Sequence, residues 1–485
     1  MKVLFKKIIF YLLISFGFIV QAQPPLKFYC RYGGNGYDVG YDLKQTLDKG
    51  YIITGSTSSF GQGNTDLYLL KLDSMGQKQF ETSFGGYSNE IGKSVVQLSD
   101  SSYVMLGYTS SSGLGGYDVF FVKADKTGNV LWQKTFGGSD WDFAYSLDTT
   151  SDGGFIIAGT SYSFGYGNAD GYIIKTDGNG NLIWMKSYGG KYDDEFKSVI
   201  QTTDGNYALT GYTKSYNDSL GDSWVFKIDI NGDSLWTKYY GGNKEDFSNQ
   251  IVEVNTGDYI IAGATASYGS GLLDGYALKI NSSGNIISTL VKGTASFSEI
   301  YTAVAISKSN AGNKLCFSQK EDFFGFGVQV KIIEYDFDFT YLNASDYGSV
   351  DTDETYSLIS TKDKGYAAVG YTNGFSAALT DCYFIKTDSL IYNSPSIVSV
   401  NDLHKEIVQF NIYPNPSQDY LNIQFSDEID EKLIKLCSLT GEELNLNGKI
   451  FILSKNKVKI NTSDFSEGIY FLKYDSATRK VIITN

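Results

Sequence analysis

Histidine is almost missing from this 485-residue chain: His404 is the only one, beside four cysteines and five prolines. Cys30, Cys316, Cys382 and Cys437 show no metal-like spacing, which argues against a Cys/His zinc centre. The lack of histidine also removes the commonest general acid–base residue. No G-x-S-x-G, H-E-x-x-H or phosphate-loop motif occurs. The stretch 177–181, Asp-Gly-Asn-Gly-Asn, begins like a calcium loop, but Leu182 stands where that loop needs glycine and Tyr188 where it needs glutamate. It reads as a hairpin turn, and no metal or cofactor is expected. Positive charge is short as well: 40 Lys and Arg against 54 Asp and Glu give −14, which argues against nucleic acid or anionic lipid as a partner. Beyond the first 22 residues, no segment approaches the ~20 apolar residues that a membrane helix needs.

The first 22 residues read differently. Lys2, Lys6 and Lys7 precede an apolar run that ends in Val20-Gln-Ala22 before Gln23, the pattern of a secretory signal peptide. No cysteine follows the cut, so a lipid anchor is not expected. Cleavage removes three lysines and takes the charge to −17. The remainder is rich in glycine (53), tyrosine (38) and phenylalanine (31), which favours strands separated by tight turns.

A glycine pair sets the rhythm. Gly33, Gly85, Gly137, Gly189 and Gly241 lie 52 residues apart, Gly293 continues the step, and a seventh unit begins near Gly348. A repeat of this length predicts a propeller blade of four strands. In the third unit the strands are 146–150, 155–161, 171–177 and 182–188, with D-x-x-G turns suited to a type I turn followed by a left-handed glycine. Gly55, Gly107, Gly159, Gly211, Gly263 and Gly370 mark strand ends where backbones approach closely. The last unit lacks a fourth strand, while 26–34 precedes the first unit as an orphan, with Phe28 in the column of Phe80, Trp132, Trp184 and Trp236. The fold class is therefore all-β: a seven-bladed β-propeller over 23–391, its N-terminal strand closing the last blade. A Cys30–Cys382 disulfide is conceivable, although an ideal register sets the pair one residue out of step.

Two acid columns run through the units. Asp38, Glu90, Asp142, Asp194, Asp246 and Asp353 follow the glycine pair, with Ser298 in the degraded sixth unit. Asp66, Asp118, Asp170, Asp222, Asp274 and Asp381 precede each third strand. A catalytic carboxylate needs an individual environment, so acids repeated six times read as acceptors of turn N–H bonds. Outside the columns stand Asp140, Asp193, Glu195 and Glu245. Strands alternate in direction, so the inter-blade loops share a face with the loops between second and third strands. Tyr37, Trp141 with Asp140, and Tyr192 belong to the first set; Phe60, Phe164, Tyr216, Tyr268 and Phe375 belong to the second. This aromatic face either binds sugar rings or partner side chains, or packs its tips between blades. The sixth unit, with its insertion 321–327, reads as drift, as a docking surface or as a site.

After a linker at 392–407, strand patterns resume over 408–485 as a small β-sandwich. Phe410-Asn-Ile-Tyr413-Pro414-Asn415-Pro416, Leu439-Thr-Gly441, Gly468-Ile-Tyr470 and Arg479-Lys480-Val-Ile482 resemble the type A C-terminal sorting domain of the type IX secretion system. Cys437-Ser438 departs from the tyrosine–acid pair common in that family, and the end reads Ile-Thr-Asn. The resemblance implies Sec export, passage through the type IX translocon, and release or attachment at the outer face of the outer membrane. It implies the translocon and its signal-processing machinery as partners. The propeller is then the delivered object: a non-catalytic glycan- or protein-binding module, with a structural or adhesive role and a glycan-cleaving enzyme as alternatives.

Overall fold

The D-x-x-G turn builds hairpins as its sequence requires. In residues 177–181 the Asp177 N–H donates to the Asn181 carbonyl at 2.9 Å, while the Asp177 carboxylate accepts from the Asn179 and Asn181 N–H groups at 2.9 and 2.8 Å. Gly180 takes a φ of 74°, a left-handed conformation that costs glycine little. The structure, a computed structural model, describes residues 27–216, 220–255, 257–295, 297–307, 313–323, 327–349, 351–374, 377, 379–389, 391, 410–425, 434–438, 444–446, 448–474 and 477–484. The expected signal peptide, the linker with His404, residues 324–326 of the insertion, Phe375 and Gly441 lie outside them.

Among the described residues the N-terminal unit consists of seven four-stranded antiparallel sheets. Blade one is Asp38–Gln45, Tyr51–Thr57, Asp66–Leu72 and Lys78–Phe84; blade three is Asp142–Thr149, Phe155–Ser161, Asp170–Thr176 and Leu182–Tyr188. The two middle strands of each of these blades are buried throughout, whereas Leu182–Tyr188 alternates at the rim. Each inner strand touches the inner strand of the next blade, and the last, Asp353–Ser360, touches the first, Asp38–Gln45. The circuit closes, as a seven-bladed propeller requires. The core lies between blades: Ile52, Leu67 and Leu69 of blade one pack with Val95, Met105 and Phe120 of blade two. Each such side chain contributes about 1.5–3 kcal/mol by burial. The lysines of the third strands add ion pairs to turn acids, Lys71 with Asp48 and Lys175 with Asp152, both at 2.9 Å.

Phe28–Tyr32 pairs antiparallel with Asp381–Lys386 and completes blade seven, removing the free edge. Cys30 lies opposite Phe384 and Cys382 opposite Tyr32, two residues out of step, and both are buried thiols. The Arg31 guanidinium reaches Asp381 at 2.8 Å across this seam.

Every inner strand carries a β-bulge. In blade one the register jumps between Gly40 and Asp42, so Tyr41 has no partner and its side chain is re-aimed. The bulge brings the Val39 carbonyl onto the second strand, where a Cβ on Gly55 would lie 1.7 Å from that oxygen. In six blades the glycine admits the bulge, whereas blade six carries its bulge with Gln319 opposite Tyr301. Blade six corrects one expectation. Its acid is not missing but displaced by one residue: the Glu299 N–H donates to the Leu273 carbonyl as that of Asp246 does to Gly221, both at 2.9 Å. Buried Glu299 accepts from Thr294 and takes the column position that sequence spacing gave to Ser298. Its middle strands are also longer, Lys314–Phe323 and Gly327–Asp336.

The chain divides into two compact units between Ile397 and Val398. The second is a sandwich of a four-stranded and a three-stranded sheet around Leu421, Ile423, Leu436, Val458, Leu472 and Val481.

Candidate functional site

The first acid column is structural. Asp142 is fully buried and accepts from the Gly138 N–H at 2.8 Å, from Ser163 Oγ at 2.7 Å and from Ser161 Oγ. Asp194 and Asp246 repeat the set with Gly190 and Gly242. The second column faces it: a Cβ on Gly137 would sit 1.9 Å from Asp118 Oδ1 and 2.8 Å from Asp142 Oδ2. Burial, and then the opposing carboxylate, push the Asp66, Asp118 and Asp170 carboxyls above their usual range despite turn N–H bonds. These pairs hold blade junctions together and offer a ligand nothing.

Inter-blade loops do lie against the following second-to-third-strand loops, as shown by the Tyr192 N–H bond to Ser215 Oγ at 2.9 Å and the Asp140 N–H bond to Ser163 Oγ at 3.0 Å. The tip rings, however, fold down. Phe60 stacks on Tyr68, Phe164 on Tyr172 and Tyr216 on Tyr239, and Tyr268 tilts over Tyr276. The Tyr216 and Tyr268 hydroxyls donate to the Gly189 and Gly241 carbonyls. These four rings lie over the second glycine of each pair, Gly34, Gly138, Gly190 and Gly242. Tyr37 and Tyr192 are exposed, as Tyr216 and Tyr268 still are despite these contacts; the most exposed ring of blade three's loop is Tyr166, not Phe164.

Trp141 is half exposed and differs from the rest. It stands in an edge-on cluster with Tyr117, Phe143 and Tyr162, at centroid distances of 6.1–6.3 Å. The acids outside the columns gather beside this cluster. Burial, then the charges of Asp193, Glu195 and Asp140, raise the Tyr162 phenol; Glu195, Asp193 and Glu245 act likewise on Tyr212. Glu195, Glu245, Tyr212, Phe247 and Asn249 line a cleft of about 290 Å³ between blades four and five. Glu195 is held there by Lys197 at 2.9 Å, and Asp193 by Lys214 at 3.5 Å. Sequence reasoning singled out these four acids but not their convergence, nor the walls supplied by Tyr162, Tyr212 and Phe247.

The central channel is a second feature that the sequence did not announce. The bulge residues of the seven blades, Tyr41, Lys93, Tyr145, Lys197, Asn249, Thr302 and Tyr356, line a cavity of about 250 Å³. The signal was present, three residues after each column acid, but side chains of such mixed chemistry do not read as a column. Below them the inner strands are bonded to one another across blades. Asp42 accepts from the Val95 N–H and Ser94 Oγ on one side and from Ser357 Oγ on the other, with Lys44 at 2.9 Å.

In the second unit Tyr413 ends a strand and is exposed, and Asn415 accepts from the Ile482 N–H at 2.8 Å, tying the Pro414-Asn415-Pro416 turn to the final strand. Gly468 opens the strand that carries buried Tyr470, whose hydroxyl donates to the Ser466 carbonyl at 2.8 Å. Lys480 lies opposite Phe471 in the final strand.

Residues 411–484 match the family described as the secretion system C-terminal sorting domain. The chain is therefore a propeller carrying a type IX sorting tail, which implies interaction with that machinery and export to the cell surface or beyond. The regulatory protein FlaEY of Caulobacter vibrioides is 27% identical over 224 residues, 39% of this chain and 23% of its own, so the chain spans under a quarter of that relative. The Pan2 WD40 domain of Neurospora crassa is similar over 72% of this chain and 89% of that one, at 11% identity and a TM-score of 0.45. PorZ, a surface component of the type IX secretion system of Porphyromonas gingivalis, is similar over 94% and 60%, at 10% identity and a TM-score of 0.37. Among the described residues, no helix is long and apolar enough to cross a membrane.

Proposed function

We propose that the exported propeller is a non-catalytic receptor for an extracellular glycan, bound at the channel mouth over blades three to five. The observation that carries this reading is the gathering there of Trp141 and Tyr162 with Asp140, Asp193, Glu195 and Glu245, all outside the repeating columns, beside Tyr212. Ring faces suit the apolar faces of sugars, and carboxylates accept from their hydroxyls. The sorting tail supplies delivery and the propeller supplies recognition.

The test is a glycan array probed with the chain from Gln23 onward. Binding to one glycan class is expected, and Trp141→Ala or Tyr212→Ala should weaken it about tenfold or more. Equal binding by both variants would sink the mouth assignment. A silent array would instead favour a protein partner or a structural surface role. Glu195 and Glu245 lining one cleft motivate a second reading, hydrolysis by a carboxylate pair. Incubating the bound glycan and analysing it for cleavage separates enzyme from receptor, and Glu195→Gln should abolish any cleavage found.

A further inference from the structure

The ring of bulge residues holds two lysines, and their situations differ. Lys197 is paired with Glu195 at 2.9 Å, and its ammonium lies 4.2 Å from the Tyr145 ring centroid. Lys93 has no carboxylate and no hydrogen-bond acceptor among the described residues. Its ammonium lies 3.3 Å from the centroid of the Tyr41 ring and 6.0 Å from that of Tyr108. Ring faces attract a cation but do not replace the water it has lost. Burial, and then the nearby charge of Lys197, push the Lys93 ammonium down to about 7.

The other charges facing the channel are satisfied. Asp42 is neutralised by Lys44 and by bonds from Ser94 and Ser357. Asp148 accepts from the Gln201 and Thr149 N–H groups at 2.8 Å. The Tyr41, Tyr145 and Tyr356 phenols are raised by burial and stay neutral. Among the described residues Lys93 is the one ammonium lining this cavity of about 250 Å³ that has no ion pair.

We propose that the central channel binds a small organic monoanion of the carboxylate class, its carboxylate taking the Lys93 ammonium and its frame lying among the Tyr41, Tyr145 and Tyr356 rings. A single free cation matches a single negative charge. A second negative charge would meet Asp42, Asp148 and Glu195. The cavity lies below the ~300–1,000 Å³ of drug-sized pockets, which limits the occupant to a small acid. This site is separate from the mouth, although Lys197 and Asn249 border both.

The experiment is calorimetric titration of the chain from Gln23 with D-glucuronate, and with D-glucose as the neutral analogue. Glucuronate should bind and glucose should not. Because only the ammonium form binds, affinity should fall about tenfold per unit as pH rises above about 7. Lys93→Gln should lose at least about tenfold in affinity, whereas Lys93→Arg should bind with no fall up to about pH 9, because guanidinium stays charged. Trp141→Ala should leave glucuronate binding intact. Absence of saturation by glucuronate, equal binding of glucose, or a pH fall that persists in Lys93→Arg would each overturn the proposal. So would loss of glucuronate binding in Trp141→Ala.

Discussion

At the residue scale, repetition separates framework from candidate chemistry. In six of the seven blades the glycine of the second strand faces a bulge carbonyl: a Cβ on Gly159 would lie 1.9 Å from the Phe143 oxygen, backbone against backbone. Neither side can yield, so Gly159→Ala should cost about 1–3 kcal/mol by overpacking. Gly153 offers the contrast. It has a φ of 81° and nothing within 4 Å of its Cβ, so Gly153→Ala carries only the left-handed penalty, about 1 kcal/mol. Urea midpoints of the two variants check the order, and equal losses would mean the bulge contact relaxes. Trp141 belongs to no such column. Its neighbour Asp142 does, and is committed to Gly138, Ser161 and Ser163.

At the scale of elements, the strand Phe28–Tyr32 decides whether the ring closes. It buries Phe28, Cys30 and Tyr32 and contributes the Arg31–Asp381 bond. Removing residues 27–32 should cost on the order of 5 kcal/mol from lost burial alone, and uncovers the edge of Asp381–Lys386. A large drop in melting temperature is the expected result. Reducing agent should leave that temperature unchanged, because Cys30 and Cys382 are already thiols; a shift on reduction would show a bond.

At the scale of the whole molecule, two families of carboxylates set the response to pH. Burial, then facing carboxylates, raise Asp66, Asp118 and Asp170 above 3.8. The folded state therefore holds protons more tightly than the unfolded one between 3.8 and the raised values, and stability grows as pH falls through that window. Asp152 and Asp204 go the other way: against the cost of partial burial, threonine hydroxyls and the Lys175 and Lys227 ammoniums hold both down to about 2. Their contribution is complete above 3.8 and is lost as pH falls from there toward about 2. Relief of the −14 net charge acts in the same direction as the first family. The urea midpoint should therefore be higher just above pH 3.8 than at pH 7, and should fall from there toward about pH 2. A midpoint that declines steadily from pH 7 would show that the junction acids are not raised.

The sequence by itself determined the blade count, the hairpin turns, the closing strand, the sorting tail and the framework role of the acid columns. Each of these is written in local chemistry or in a fixed 52-residue step, and both survive without coordinates. Only the tertiary structure decided the rest. Glu299 replaces Ser298 in its column because the backbone bond to Leu273, not residue counting, fixes the register. Phe60, Phe164, Tyr216 and Tyr268 lean over the glycine pairs, where a Cβ would meet their ring tips, and the two tyrosines stay exposed while doing so. The mouth acids come from three inter-blade loops and, for Glu195, from the inner strand of blade four, and the channel ring takes one residue from each blade. The channel ring forms only when the circle closes, whereas the mouth acids need blades three to five side by side; neither arrangement is visible in a single repeat.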